Sequence, residues 1–64
     1  MKRIKLIDVK EVYTKLIGKT LKSKDIAKQK AVFSRIFFAL TLTSYEMQYR
    51  ELNATMARFF GEAG

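Results

Sequence analysis

The sequence predicts a mainly α, compact three-helix domain with a short N-terminal arm or strand, its core completed by a second copy of the chain. Three observations lead there. The 64 residues contain no Pro and place Gly only at positions 18, 61 and 64, so the main interior helix breakers are missing from long stretches. Apolar residues recur at helical spacing in three separate segments. A chain of this length buries only about 60% of the surface its unfolded form exposes. With no Cys and no His, neither disulfides nor Cys/His zinc patterns add to a small core. Self-association is the usual remaining route, and a homodimer is expected.

Taken in order, Lys2, Arg3, Ile4, Lys5 and Leu6 alternate partly between polar and apolar, the pattern of a short strand or an ordered arm. Asp8 and Glu11 have capping-box spacing. Val9, Val12, Tyr13, Leu16 and Ile17 then recur at helical intervals until Gly18 offers a left-handed C-cap, giving a first helix of about ten residues. Ser23 is placed to cap a second helix, with Asp25 in its first turn near the positive end of the dipole. Ile26, Phe33, Ile36, Phe37 and Leu40 form its predicted apolar face, Val32 and Ala39 widen one edge, and Phe38 lies well off it.

Thr41, Leu42, Thr43 and Ser44 weaken helix propensity, and Thr43 with Glu46 has capping-box spacing. A boundary falls there, with one continuous helix as the competing reading. Tyr45, Tyr49, Leu52, Met56, Phe59 and Phe60 mark a narrow stripe ending before Gly61, with Glu46, Arg50, Glu51 and Arg58 off its centre. The tail Gly61 to Gly64 is expected to fray. Residues 1–64 contain no internal repeat, low-complexity tract or linker and read as a single small helical domain.

Charge divides that domain. Residues 1–30 hold ten Lys or Arg against three acids, net +7, whereas residues 31–64 hold three of each and all five Phe. A basic half joined to an apolar association half suits a module that meets a polyanion through one end and a protein through the other. The longest uninterrupted apolar run, Ile36 to Leu40, is far short of the roughly 20 residues that cross a bilayer. The basic start is not followed by a signal-peptide core. A cytoplasmic protein without integral membrane insertion is expected. A peripheral membrane role is weaker, because the first helix sets only Lys10 and Lys15 beside a short apolar face.

Catalysis is not expected. His, Cys and a Gly-rich phosphate loop are absent, and Asp8, Glu11, Asp25, Glu46, Glu51 and Glu62 are accounted for by caps or exposed helix charge. No cofactor or metal site is read. Asn53, Ala54 and Thr55 match a glycosylation acceptor, a common chance motif that here falls inside a predicted helix. Phe33, Phe37, Tyr49, Phe59 and Phe60 lie on faces expected to be buried and read as shared core before base-stacking platform.

Double-stranded DNA is the expected partner. Lys19, Lys22, Lys24, Lys28 and Lys30 concentrate positive charge around one turn and the first half of the second helix. A helix capped by Ser23 would also offer free N–H groups to a phosphate, with Asp25 opposing that contact. The candidate nucleic-acid-binding set is Lys2, Arg3, Lys5, Lys19, Lys22, Ser23, Lys24, Lys28, Lys30 and Arg35. Sequence preference needs directional side chains, for which Arg3, Arg35, Arg50, Arg58, Gln29, Gln48 and Asn53 are available.

Two docking geometries fit the length. Helices two and three can pack as a helix-turn-helix pair, although the large apolar stripe of the third argues that it is buried. Alternatively, residues 2–8 pair with their twin as a ribbon, with Arg3, Lys5 and Ile7 on one face and Ile4 and Leu6 on the other. In that arrangement residues 2–36 resemble a ribbon-helix-helix repressor: a strand, a helix ending at Gly18, and Ser23 opening the next. The resemblance implies base reading by Arg3 and Lys5 and a phosphate grip at Ser23. Ile7 departs from it where a polar reader belongs, and the third helix is not required by that fold.

The alternative function is a noncatalytic interaction module, an inhibitor or assembly subunit that binds an acidic protein surface. Phe38, Met47 and Ala54, on second faces of their helices, are the candidate association residues for such a partner or for a homodimer.

Overall fold

Helices α1 (Leu6–Lys22), α2 (Ile26–Leu40) and α3 (Tyr45–Phe60) make up the fold in a computed structural model that describes residues 3–61. No strand occurs among the described residues. The arm is therefore Arg3 to Lys5, with Ile4 packed on the core. The ribbon alignment fails at Leu6, where the chain is already helical, so Arg3, Lys5 and Ile7 do not share one strand face. Lys2 and the tail beyond Gly61 lie outside the described residues.

Each boundary has a local cause. The Lys5 N–H donates to Asp8 Oδ2 at 2.8 Å, placing an acid in the first turn where the helix dipole favours it. The helix begins there, three residues ahead of the start that Asp8 and Glu11 suggest. It also runs through Gly18 rather than stopping, because Leu16 and Thr20 on either side are fully buried. The Thr20 hydroxyl donates to the Leu16 carbonyl at 2.7 Å.

The corner between α1 and α2 corrects the placement of the cap. Ser23 is the C-cap of α1, and Asp25 caps α2, its Oδ1 accepting the Lys28 N–H at 3.1 Å. The Ser23 hydroxyl instead accepts the Asp25 N–H at 3.3 Å. Gln29 Nε2 donates to the carbonyls of Thr20 and Ser23 at 3.2 and 2.6 Å, so one side chain of α2 satisfies two carbonyls at the end of α1.

The break after Leu40 excludes a continuous helix. Thr41 turns its hydroxyl onto the Phe38 carbonyl at 2.6 Å, and Gln48 Nε2 holds the Leu42 carbonyl at 2.9 Å. The cap of α3 is Ser44, one residue beyond the expected Thr43, with the Met47 N–H donating to its Oγ at 3.2 Å. Gly61 closes α3 in the left-handed region at φ 68°, its N–H donating to the Ala57 carbonyl, the backbone shape for which glycine carries no steric penalty.

The core is Val9, Val12 and Leu16 from α1, Val32, Ile36 and Ala39 from α2, and Leu52 and Met56 from α3. Helix α3 is the common wall: it packs on both other helices, which touch each other less. Lys28 lies near Phe60, and Arg35 near Glu51 and Phe59, so early α2 meets late α3 and the two run antiparallel.

The predicted face of α2 is rotated. At about 100° per residue, Val32, Ile36 and Ala39 lie roughly 90° around the helix from the centre of Ile26, Phe33, Ile36, Phe37 and Leu40. Phe33 is accordingly half-buried, Leu40 and Ile26 are exposed, and Phe37 is 72% exposed instead of buried. The buried face carries the smaller Val and Ala side chains, while Lys28 and Arg35 lie beside the Phe60 and Phe59 rings. Phe38 stands off the core at 56% exposure, as its angle predicts.

Candidate nucleic-acid interface

Building α1 through Gly18 to Lys22 creates a surface that a shorter helix would not have. Lys15, Lys19 and Lys22 recur at i, i+4 and i+7, which puts them on one side of a helix. With Thr14 and Gly18 they line a shallow groove on the face turned away from the core. Ile7, Lys10, Glu11, Thr14 and Lys15 line a second groove that continues toward the helix start. Lys10, Lys15 and Lys22 are exposed, and Lys19 is half-buried. Lys19 and Lys22 lie in the last turn of α1, where the helix dipole favours positive charge. Lys24 in the connecting corner and Lys30 on α2 are also exposed.

Other members of the predicted set have different surroundings. Lys28 is half-buried with its ammonium 5.1 Å from the centre of the Phe60 ring, a cation–π contact that holds α2 to the end of α3. Arg35 lies 3.7 Å from Glu51 and 5.9 Å from the Phe59 ring centre, so its guanidinium serves the α2–α3 seam. Arg3 and Lys5 are exposed on the arm. Ser23 is not at a helix N-terminus, and the true N-terminus of α2 carries the Asp25 carboxylate. The phosphate seat expected there is thus already filled by an anion, which repels a second one.

Among the directional side chains, Gln29 and Gln48 are committed to backbone carbonyls. Asn53 is half-buried, with Oδ1 buried and unpartnered. Arg3, Arg50 and Arg58 remain exposed. The exposed arginines are therefore fewer than the sequence offers, and lysines dominate the exposed basic side chains. Phe38, Met47 and Ala54 are all exposed, consistent with faces turned from the core.

The candidate set read from the sequence does not include Lys10 and Lys15. The signal was present: Lys15 shares a helix face with Lys19 and Lys22. Ending the helix at Gly18 concealed it.

The fold and this surface define a small basic three-helix protein with a lysine-edged outer helix. Comparison with protein-family models, curated proteins and solved structures gives no match, so the functional argument rests on the residues themselves. No helix among the described residues is long and apolar enough to cross a membrane.

Proposed function

We propose that this protein is a small DNA-binding regulatory or accessory protein that grips duplex through lysine–phosphate contacts and acts as a homodimer. The observation that carries the reading is the concentration of exposed lysines, Lys10, Lys15, Lys22, Lys24 and Lys30, on α1, the following corner and early α2. Charge of one sign gathered on a surface attracts a polyanion over several ångströms and releases its counterions on contact. Because lysine is a point donor without a planar fork, the grip is largely indifferent to base sequence. Arg3, Arg50 and Arg58 supply whatever preference there is. The exposed Phe38 and Met47 support pairing of two subunits, which lets weak contacts to two half-sites combine.

Fluorescence anisotropy on a labelled duplex tests this. The expected result is a dissociation constant of about 1 µM or tighter at about 50 mM salt, with a steep loss of affinity as salt rises. Absence of binding at that salt refutes it.

A second reading draws on Phe37, Phe38, Leu40, Tyr45 and Met47, each at least 44% exposed. Large exposed apolar side chains of this number mark protein contacts, and an acidic protein would satisfy the lysines equally well. Affinity capture after nuclease treatment discriminates: one stoichiometric acidic protein favours this module, and nucleic acid alone in untreated samples favours the first reading.

A further inference from the structure

Gly18 has no internal reason to be glycine. It lies inside α1, just ahead of the last turn, Gly61 is the positive-φ glycine among the described residues, and a Cβ built at position 18 would meet nothing within 4 Å. Glycine at such a place weakens a helix relative to alanine. What the missing side chain does is open the floor of the groove between Thr14, Lys15, Lys19 and Lys22. Glycine is favoured where another backbone must come close.

We propose that this groove seats the sugar–phosphate backbone of duplex DNA, with Gly18 as its floor and Lys15 and Lys22 as its outer charges. The assignment rests on the duplex-binding reading and moves the main phosphate seat from the start of α2 to the outer face of α1. Seven residues of helix separate Lys15 from Lys22, a rise of about 10 Å. One DNA strand advances about 3.4 Å of duplex axis per phosphate while winding around that axis, so its phosphates lie farther apart along the strand, and a strand following the groove sets about two of them within that length, one for each outer lysine. The Thr14 hydroxyl adds a donor of the kind that positions phosphate oxygens. No carboxylate lines this groove, unlike the α2 N-terminus with Asp25. A second copy of the chain is a poor occupant, because its lysines would face these lysines.

The deciding variant is Gly18→Leu, which fills the floor without changing charge, measured beside Ser34→Leu, which places the same leucine side chain at an exposed position of α2. By anisotropy, Gly18→Leu is expected to weaken duplex binding about tenfold while Ser34→Leu binds as the wild type. Circular dichroism should show helix content and melting temperature undiminished in Gly18→Leu, since leucine is the better helix former. As a second measurement, the double variant Lys15→Gln, Lys22→Gln should lower the slope of log K against log salt by about 1.8, two phosphates' worth. Wild-type affinity in Gly18→Leu, or equal losses in both leucine variants, overturns the groove while leaving duplex binding intact. No duplex binding by the wild type at about 50 mM salt overturns the functional reading and the groove together.

Discussion

Replacing Gly18 by alanine should make the protein more stable. The position is interior to α1, its backbone is outside the left-handed region, and the added methyl group meets no atom within 4 Å. The gain then comes from the unfolded chain, which loses conformational freedom, and from the intrinsic preference of alanine for helix, together about 0.5–1 kcal/mol. For a domain of this size, that shifts the melting temperature upward by roughly 2–8 °C. Thermal melts followed by circular dichroism at 222 nm, with urea titrations at fixed temperature, would measure it. The urea slope should stay constant, because no buried surface changes. A lower melting temperature would refute the reasoning, since it would require α1 to be distorted at Gly18 or the outer face to be packed against something.

Three further outcomes follow from the packing. Phe37→Ala should cost less than about 1 kcal/mol because its ring is 72% exposed, whereas Phe33→Ala should cost about 2 kcal/mol through lost core contacts; urea titration of both variants gives the comparison, and equal costs would place the α2 face wrongly. Asp25→Ala should destabilise by about 1 kcal/mol in the same assay by removing the cap on Lys28 N–H. Phe38→Ala should lower the self-association constant and make the melting temperature more dependent on concentration, read by sedimentation equilibrium; a monomeric wild type at about 100 µM, or unchanged association in the variant, removes Phe38 from the interface.

Helix α3 is legible in the sequence because Leu52, Met56 and Phe59 hold a narrow stripe and Gly61 supplies its cap. The α2–α3 break is legible for a similar reason: a Thr/Ser cluster followed by Glu46 leaves few places to start a helix. Gly18 misleads because glycine after an apolar stripe usually ends a helix, and the force that overrides it is tertiary. Thr20, a residue whose type gives no core signal, is fully buried and extends α1 to Lys22.

The rotation of α2 has another origin. Ile36 to Leu40 are apolar in succession, so periodicity alone does not select one face, and the larger Phe37 outweighs Ala39 in any hydrophobic average. The face that is buried is the one carrying the smaller Val32 and Ala39. For the candidate interface, residue type located the lysines, but roles depended on neighbours several turns away. Lys28 and Arg35 meet α3 aromatics, and Asp25 takes the helix start where a phosphate was expected.

The central claim is that two copies of this basic chain grip one duplex through phosphate contacts. Sedimentation velocity of the protein mixed with a labelled duplex of about 20 base pairs, run at about 50 mM and about 300 mM salt, tests it most directly. The account predicts a complex of two protomers per duplex at the lower salt that dissociates at the higher. Free duplex sedimenting alone at the lower salt, or a complex indifferent to salt, would contradict it.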